Sequence, residues 1–347
     1  MKHIGIDLHT NSFTACYLEE GKSERIETFR LQDSSHLERF INSLEEKDEI
    51  ALEATGNSCF FRDQIAPYVS RVVVIAPWQF EVIRRSVKKT DKHDARAIAF
   101  FLSKDMLPES RLKKTEYTQL ASLIQTREQL VRLRVSLINK VHGLFNRRGI
   151  KIKKETLTTQ KGFEKCVKAH TWDALEQIEI DVITEQLESL RNSLKKLEKE
   201  ITFFAETLPG FKNLISIKGI GALSAAILLS TIGEVSDFAK TGNLAAYLGI
   251  VPRVSQSNDQ HLVGRITKRG FKIARKTLVQ CTLIAKRYSP YLHSFYEHIK
   301  ARRGGGKAIP EEEAERLLSQ LPESFLIPSS IPSKMIGSLK ILQRLNF

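Results

Sequence analysis

The chain has 347 residues, which is enough to bury a substantial hydrophobic core and to form two domains with connecting helices. Its 54 lysines and arginines outnumber its 40 aspartates and glutamates, and the formal charge of +14 at pH 7 favours a polyanionic partner, nucleic acid first. No run approaches the roughly 20 apolar residues of a membrane span, and a charge lies among the first residues, so we expect neither a membrane protein nor an exported one. The four cysteines lie far apart in the sequence and fit a reducing cytoplasm.

Residues 3 to about 104 alternate between strand and helix patterns. Apolar runs predict strands at 4–8, 13–18, 24–29, 49–53 and 71–75, and helical patterns occupy 34–46 and 58–69. Three strands joined by short turns, followed by strand, helix and strand, predict a mixed sheet with helices on its faces. This is the α/β order of an RNase H-like domain, and Pro108 marks its predicted boundary.

Four acids in this region suggest a shared site. Asp7 and Glu53 each end a predicted strand, while Asp91 and Asp94 lie three residues apart at the start of a predicted helix and so share a face. Open α/β sheets bind their ligands at the carboxyl ends of their strands. Four converging carboxylates repel one another unless a cation lies among them, and Mg²⁺ or Mn²⁺ suits such oxygen ligands. The pattern predicts a metal-dependent phosphate-transfer site.

A simpler interpretation remains open for each of these acids. Asp91 could cap the helix that follows it, Asp7 could open a turn, and any single acid is more often solvated than bound to a metal. We expect His9 and His93 to be neighbours of the acids rather than ligands, because Mg²⁺ prefers oxygen.

Two long helices are predicted after Pro108. Leucines recur every seven residues between 115 and 148, and apolar residues step by three and four between 180 and 208. These helices are expected to pair with each other, with a second subunit, or both. A basic edge accompanies the first helix and favours phosphate contact over a solvated face; its cations are Arg127, Arg132, Arg134, Lys140, Arg147, Arg148, Lys151, Lys153 and Lys154.

The third region begins at Pro209 and contains IKGIG at 217–221 before an apolar helix at 223–232. Two glycines around an isoleucine are typical of a helix-hairpin-helix turn, whose backbone N–H groups hold a phosphate without reading bases. Lys218, Gly219 and Gly221 are its candidate contacts, and the alternative is an ordinary tight turn between helices.

A polar loop is predicted at 253–260. A serine there could attack a phosphodiester, since nearby cations stabilise the charge that develops on the phosphoryl oxygens. The chemistry does not choose between Ser255 and Ser257, and loop serines are commonly only turn formers. The candidate cations are Arg253, Arg265, Lys268 and Arg269.

Six motifs taken in order resemble the IS110-type transposases of bacterial insertion sequences: GIDLH at 5–9, LEATG at 52–56, KTDKHDA at 89–95, IKGIG at 217–221, LGIVP at 248–252 and ITKRG at 266–270. The resemblance implies a RuvC-like RNase H domain at 1–108, an α-helical coiled-coil linker at 109–208 and a mainly α-helical transposase domain with a helix-hairpin-helix at 209–309. It also implies a metal-binding set formed by Asp7, Glu53, Asp91 and Asp94.

In this family the essential serine precedes a glycine and lies five residues after the proline of the Gly-x-x-Pro motif. Counting from Pro252 reaches Ser257, with Asn258 where the family has glycine, a change that a left-handed backbone tolerates. The resemblance implies recombination through a covalent phosphoserine link, assisted by Mg²⁺ or Mn²⁺. It further implies a structured non-coding guide RNA that pairs with donor and target DNA, assembly into dimers and tetramers, and work at the nucleoid in the bacterial cytoplasm.

Two other functions are compatible with parts of the pattern. A RuvC-like endonuclease would cut Holliday junctions with a metal-activated water and would not need Ser257. A non-enzymatic DNA-architectural protein would use the helical elements alone and would lose nothing on substitution of Asp7. We favour the recombinase because the acids, the serine and the helix-hairpin-helix occur together.

The tail at 310–347 departs from the family pattern and carries several prolines, so we expect it to be partly disordered. Codons for residues 335–343 can encode, in a shifted frame, an aromatic and acidic stretch like the family's ending. We therefore predict a frameshift near residue 309 that impairs this copy. Sequencing the gene tests this, and a shifted frame without those residues would leave a divergent tail as the explanation.

Overall fold

The computed structural model describes residues 1–75, 80, 90–257 and 260–303. The chain folds as two compact units, one covering 1–112 and the other beginning at Lys113. Lys89, the Asn258 that follows the candidate serine, and the predicted tail lie outside the described residues. The proposed division of the second unit at residue 209 stays a prediction.

The first unit is built on a five-stranded mixed sheet, as the sequence predicts. Its strands are β1 (Lys2–Leu8), β2 (Ser12–Glu19), β3 (Arg25–Arg30), β4 (Glu49–Glu53) and β5 (Arg71–Ile75). They lie in the order β3-β2-β1-β4-β5, with β1 antiparallel to β2 and parallel to β4. The sheet of an RNase H-like domain is compatible with this arrangement.

Among the described residues of this unit, three α-helices accompany the sheet: α1 (Ser34–Ile41), α2 (Ser58–Ile65) and α3 (Asp91–Ser103). The first two are shorter than the sequence predicted. In the second case a 3-10 turn follows at Ala66–Tyr68, because Pro67 has no N–H with which to continue the α-helical ladder.

The two faces of the sheet are used differently. Phe13 and Phe29 of the sheet stack at 4.9 Å between ring centroids, and Phe40 of α1 and Phe61 of α2 pack edge-on against Phe13. Side chains alternate along a strand, so the residues between the buried apolar positions of β1 point to the opposite face. That opposite face is covered by α3.

Gly5 allows α3 to approach the sheet. A Cβ atom at this position would lie 2.2 Å from the carbonyl oxygen of Ala95 and 2.2 Å from the backbone nitrogen of Ala99. Both are backbone atoms of α3, which cannot rotate away as a flexible side chain would. The helix therefore lies directly on the backbone of β1, and only glycine permits that distance.

The second unit contains a long helical hairpin. Helices α4 (Thr115–Arg147) and α7 (Ala174–Glu206) run antiparallel, since Arg127 pairs with Glu198 while Lys140 pairs with Glu179. Between them lie the short helices α5 (Lys154–Thr158) and α6 (Gln160–Lys168). The two predicted helices thus pair with each other, and their pairing with a second subunit stays a prediction.

The described part of the second unit after the helical hairpin is mostly helical: α8 (Phe211–Ile215), α9 (Ala222–Ile232), α10 (Thr241–Leu248), α11 (Lys272–Ala285) and α12 (Pro290–Arg303). Helix α9 lies in the largest apolar cluster, with residues from α4, α7 and α11 around it. Among the described helices, none has both the length and the apolar composition needed to cross a bilayer.

The prediction of a polar loop at 253–260 is wrong for most of that range, because the chain forms two strands there. Residues Pro252–Ser257 form β6 and residues Gln260–Ile266 form β7, paired antiparallel from Pro252 opposite Ile266 to Ser257 opposite Gln260. Backbone groups that pair across two strands are satisfied whatever the polarity of the side chains. Composition alone therefore suggested a loop where cross-strand pairing produces a hairpin.

Replacing Gly5 by alanine should destabilise the first unit, because the added methyl group meets backbone atoms of α3. Overpacking of this kind costs about 1–3 kcal/mol, and more where the backbone must move. The measurement is urea unfolding of the full chain followed by circular dichroism. The matched control is Gly56→Ala, where an added Cβ meets nothing within 4 Å. Equal stability of the two variants would contradict this account of the helix position.

Candidate metal centre and serine hairpin

Asp7 and Glu53 lie on the sheet face that α3 covers. Gly5 faces α3, and Asp7 follows it by two residues on the same strand. Ala51 belongs to the apolar cluster shared with α3, and Glu53 follows it by two residues. Because β1 and β4 are parallel, both carboxylates come to the same edge of the sheet.

The packing of α3 brings Asp91 to that edge. Ala95 and Ala99 lie over Gly5, and Asp91 continues their stripe one turn toward the helix N-terminus. Four helical residues span about 6 Å, and the two strand residues from Gly5 to Asp7 span about 6.6 Å. These lengths match, so the acid of the helix arrives beside the acid of the strand.

Asp94 belongs to the neighbouring stripe of α3. It precedes Ile98 and Leu102, which pack in one cluster with Ala51 of β4. Its carboxylate therefore extends that stripe toward the strand end that carries Glu53. The spacing of three between the two helical acids thus places one along β1 and the other along β4.

His9 lies between two of the acids. Its Nε2 atom is 3.3 Å from Oδ2 of Asp7 and 3.5 Å from Oδ1 of Asp91. One donor atom from each residue lies within 4.8 Å of the others, a separation that one metal ion could bridge. The sequence pattern predicted His9 only as a neighbour of the acids. The structure confirms that it is a neighbour of the acids, and its ring nitrogen is also close enough to be a potential ligand atom.

The electrostatics of this cluster favour a cation. Burial raises the pKa of the Asp7 carboxyl above its ordinary value, His9 opposes that rise, and the negative charges of Asp91 and Asp94 add to it. The Asp7 side chain is 12% exposed, whereas His9 and Asp91 are more than half exposed. The donor set is open to solvent on one side and fits a hydrated divalent ion such as Mg²⁺ or Mn²⁺.

The structure excludes helix capping as the role of Asp91. Thr90 is the N-cap of α3, and its hydroxyl oxygen accepts a hydrogen bond from the backbone N–H of His93 at 3.2 Å. Asp91 is the first helical residue, so its carboxylate is available to the cluster.

The IKGIG segment forms a turn between α8 and α9. Gly219 has a φ of +111°, and a Cβ there would lie 2.7 Å from the backbone nitrogen of Ala285 in α11. That glycine has a packing role of its own. Gly221 is the N-cap of α9, and a Cβ there would meet nothing within 4 Å, so the helix start is open to an incoming group. The exposed Lys218 lies 5.9 Å from the ring centroid of Tyr288.

Ser257 is the last residue of β6, at the far end of the hairpin from its base. Arg253 follows Pro252 at the base, where its guanidinium donates to the carbonyl oxygen of Thr267 at 3.4 Å. Four strand residues separate Arg253 from Ser257, a distance of about 13 Å. The sequence pattern predicted cations around the serine, whereas the backbone separates Arg253 from it along the strand.

The base of the hairpin is held by a residue whose role the sequence pattern did not indicate. Arg275 of α11 donates from one guanidinium nitrogen to the carbonyl oxygens of Leu248 and Arg269, both at 3.0 Å. Burial lowers the pKa of Arg275. A Cβ at Gly249 would overlap the carbonyl oxygen of Arg269, so these segments lie in direct contact. The sequence shows only that Arg275 belongs to a basic helix, and it does not predict which carbonyl groups this arginine will contact.

Several predicted phosphate contacts on α4 already have acidic partners. Arg148 pairs with Glu176 and lies over the ring of Trp172, with its guanidinium carbon 4.8 Å from the ring centroid. Arg147 lies 3.9 Å from Glu179, and Arg134 is half-buried on α4. Lys268 and Arg269 are exposed near the hairpin base, whereas the side chain of Arg265 lies outside the described residues. Their contact with nucleic acid stays a prediction.

Two family models match the chain. Residues 4–150 match a DEDD transposase model of the IS110 type, and residues 211–297 match a model described as the transposase IS116/IS110/IS902 family. Residues 151–210 lie between the two matched stretches.

The chain is also similar to curated proteins along most of its length. It is 27% identical to the transposase for insertion sequence element IS1328 of Yersinia enterocolitica, covering 81% of this chain and 83% of that protein. It is 23% identical to the IS1111A transposase of Coxiella burnetii, covering 80% and 76%. A pilin gene-inverting protein of Moraxella bovis is 26% identical, covering 88% of each chain.

Replacing Asp7 by asparagine should stabilise the metal-free protein at neutral pH. A carboxyl whose folded pKa is raised costs stability once it ionises, and this cost vanishes below the unfolded value near 3.8. The advantage of Asp7→Asn over wild type should therefore shrink as the pH falls toward 4. Thermal unfolding in EDTA between pH 4 and pH 8 measures it.

Added Mg²⁺ or Mn²⁺ should make the wild-type protein more stable than Asp7→Asn. A ligand that binds only the folded state at 100 times its Kd stabilises by about 2.7 kcal/mol, and Asp7→Asn should lose most of that gain. The control is Asp181→Asn, an exposed acid of α7 whose oxygen accepts from Gln177 and whose replacement keeps that acceptor. If the metal stabilised wild type, Asp7→Asn and Asp181→Asn equally, the ion would bind at a site that does not include Asp7.

Proposed function

The chain belongs to the IS110 family of transposases, and from that premise we propose that it recombines DNA through a covalent link to Ser257, with a divalent cation held at the acidic cluster. The observation that supports the metal part is the convergence of Asp7, His9 and Asp91 at the carboxyl edge of the sheet. A buried carboxyl with a raised pKa beside two further acids is a site that gains from a bound cation.

Asp7 and Asp91, whose carboxylates lie beside His9, would hold the ion, and Glu53 and Asp94 would complete its oxygen ligands from the neighbouring strand end and the same helix turn. His9 would either complete the ligand set or orient Asp7 by a hydrogen bond from its ring nitrogen. When bound, Mg²⁺ or Mn²⁺ supplies positive charge that stabilises the phosphoryl oxygens of the attacked bond.

The nucleophile in this proposal is the hydroxyl of Ser257. The serine hydroxyl gives up its proton as its oxygen forms a bond to a DNA phosphorus, the bond from that phosphorus to the leaving strand breaks, and the leaving oxygen takes up a proton to become a hydroxyl. A hydroxyl of another strand then attacks the phosphoserine and releases the enzyme, so no bond energy is lost to water. The place of Ser257 at the end of β6 supports this role, because a hairpin end can reach a phosphate that a helix surface cannot.

The remaining polar groups would position the DNA. Lys218 and Gly219 lead into Gly221, the N-cap of α9, and the backbone N–H groups at this helix start can hold a phosphate as in a helix-hairpin-helix, with Lys218 beside it. Arg253, Lys268 and Arg269, at the base of the β6–β7 hairpin, would hold a phosphate that is several nucleotides away from the attacked bond. Together these contacts recognise the backbone and leave sequence choice to another molecule.

That molecule is, in our proposal, a structured non-coding RNA encoded beside the element, which pairs with donor ends and target. Arg134, Arg147, Arg148, Arg253, Arg265, Lys268 and Arg269 are the proposed DNA and RNA contacts. A dimer or tetramer that uses the helical linker would bring two DNA partners together. We expect the complex to act at the nucleoid in the bacterial cytoplasm.

A search for a covalent protein–DNA adduct on denaturing gels tests the proposal. The reaction contains donor-end DNA, the flanking RNA and Mg²⁺, and its adduct should be lost by several orders of magnitude in Ser257→Ala and in Asp7→Asn. Ser255→Ala is the matched control, because it removes a second hydroxyl two residues earlier on the same strand. Omission of the RNA should also abolish the adduct.

Each alternative result identifies a different mechanism. An adduct that persists in Ser257→Ala but disappears in Ser255→Ala would move the nucleophile to the earlier serine. Metal-dependent cutting without any adduct would replace the recombinase by a RuvC-like Holliday junction endonuclease. An adduct formed without RNA would remove the guide from the proposal.

A further inference from the structure

The segment at 150–170, which we call the hairpin cap, folds back onto one end of the helical hairpin. Leu157 of α5 and Phe163 of α6 are almost wholly buried and share an apolar cluster with Val141 of α4 and Leu187 of α7. The ring of His142 in α4 hydrogen bonds at 3.0 Å to the carbonyl oxygen of Ile152. These contacts make the cap a fixed extension of the two long helices.

Helix α6 is amphipathic in an unusual way. Its inward face carries Phe163, with Cys166 and Val167 packed beside it. The opposite face carries only lysines, at positions i, i+4 and i+7, and all three are exposed: Lys161, Lys165 and Lys168. This row extends over about 10 Å of the helix.

The cap has a large excess of cations. It contains six lysines, all exposed, and two acids, and Glu164 accepts a hydrogen bond from Gln160 at 3.0 Å. The long helices behave differently, since Arg127, Lys140 and Arg148 each reach an acid of α7 or α4. Within the described part of the chain, no ion pair neutralises any of the cap lysines.

We propose that the hairpin cap binds the phosphate backbone of duplex DNA. Lysine ammonium groups form point contacts with phosphates and release condensed counterions, which requires a cation row without competing acids. Single-stranded nucleic acid would call for exposed aromatic rings on which bases stack. Next to the cap lysines, the rings of Phe145 and Phe163 are buried, and the half-buried ring of Trp172 packs against Phe145 with Arg148 over it, so the lysine row offers charge without a stacking ring.

Duplex DNA is the favoured occupant because DNA is the substrate of the family, and the inference rests on the proposed function in this respect only. It adds a contact surface between the two stretches that the family models match. The predicted basic edge, which already includes Lys151, Lys153 and Lys154, is thereby extended to the lysine row of α6, whereas Arg127 and Lys140 are engaged by acids across the helical hairpin.

The test compares two triple variants of the full chain. Lys161→Gln, Lys165→Gln and Lys168→Gln together remove the cation row of α6. Lys195→Gln, Lys196→Gln and Lys199→Gln together remove three exposed lysines from α7 and change the net charge equally. Fluorescence anisotropy with labelled duplex DNA of arbitrary sequence gives Kd at several salt concentrations, and thermal unfolding verifies that both variants fold.

The α6 variant should bind duplex DNA more weakly and with a shallower salt dependence. Each lost phosphate contact reduces the slope of log K against log salt by about 0.9, so three contacts reduce it by about 2 to 3. The α7 variant should retain the wild-type slope. Equal losses in both variants would overturn the inference in favour of a general charge effect, and so would an unchanged α6 variant.

A parallel titration with duplex RNA and single-stranded DNA identifies the occupant. A loss in the α6 variant that is confined to RNA would overturn the assignment to DNA. The covalent adduct at Ser257 is a separate readout: its absence from wild type refutes the proposed recombination mechanism and leaves the cap test intact.

Discussion

The contact between Gly5 and the backbone of α3 is the constraint on which the acidic cluster depends. It fixes both the distance of α3 from β1 and its position along the strand, because Ala95 and Ala99 lie on either side of the missing Cβ. Asp91 then reaches Asp7 without any direct attraction between the two carboxylates. Packing, rather than charge, brings like charges together, and the raised pKa of Asp7 is the electrostatic consequence.

The cations of the second unit fall into two groups: some are paired with acids of the same chain, and others are exposed and could contact a phosphate. Arg127 and Lys140 of α4 pair with acids of α7 across the helical hairpin, and such pairs add only modestly to the stability that the apolar contacts between the two helices supply. The lysines of the cap have no such partners among the described residues. The cap therefore contributes an excess of cations, six lysines against two acids, to the basic surface of the second unit.

The serine hairpin follows a similar division of roles. Arg275 and the glycines at 249 and 270 fix its base through backbone contacts, whereas its end carries the candidate nucleophile. A base held by backbone contacts and an end that extends from it would suit the proposed nucleophile, which has to reach a DNA phosphate. Cations at the base and the serine at the end would then contact different nucleotides of one DNA strand.

The sequence by itself determined the strands of the first unit, the two long helices and the family, because these depend on periodicity and on motifs that local residues carry. It also predicted a site of four acids from their places at strand ends and on one helix turn, and the structure brings two of them, Asp7 and Asp91, together with His9. Tertiary structure alone decided that His9 lies among them, that 253–257 forms a strand, that Arg275 clamps the hairpin base, and which cations are neutralised. Each of these depends on a partner distant in the chain, and no local pattern records which residues will meet.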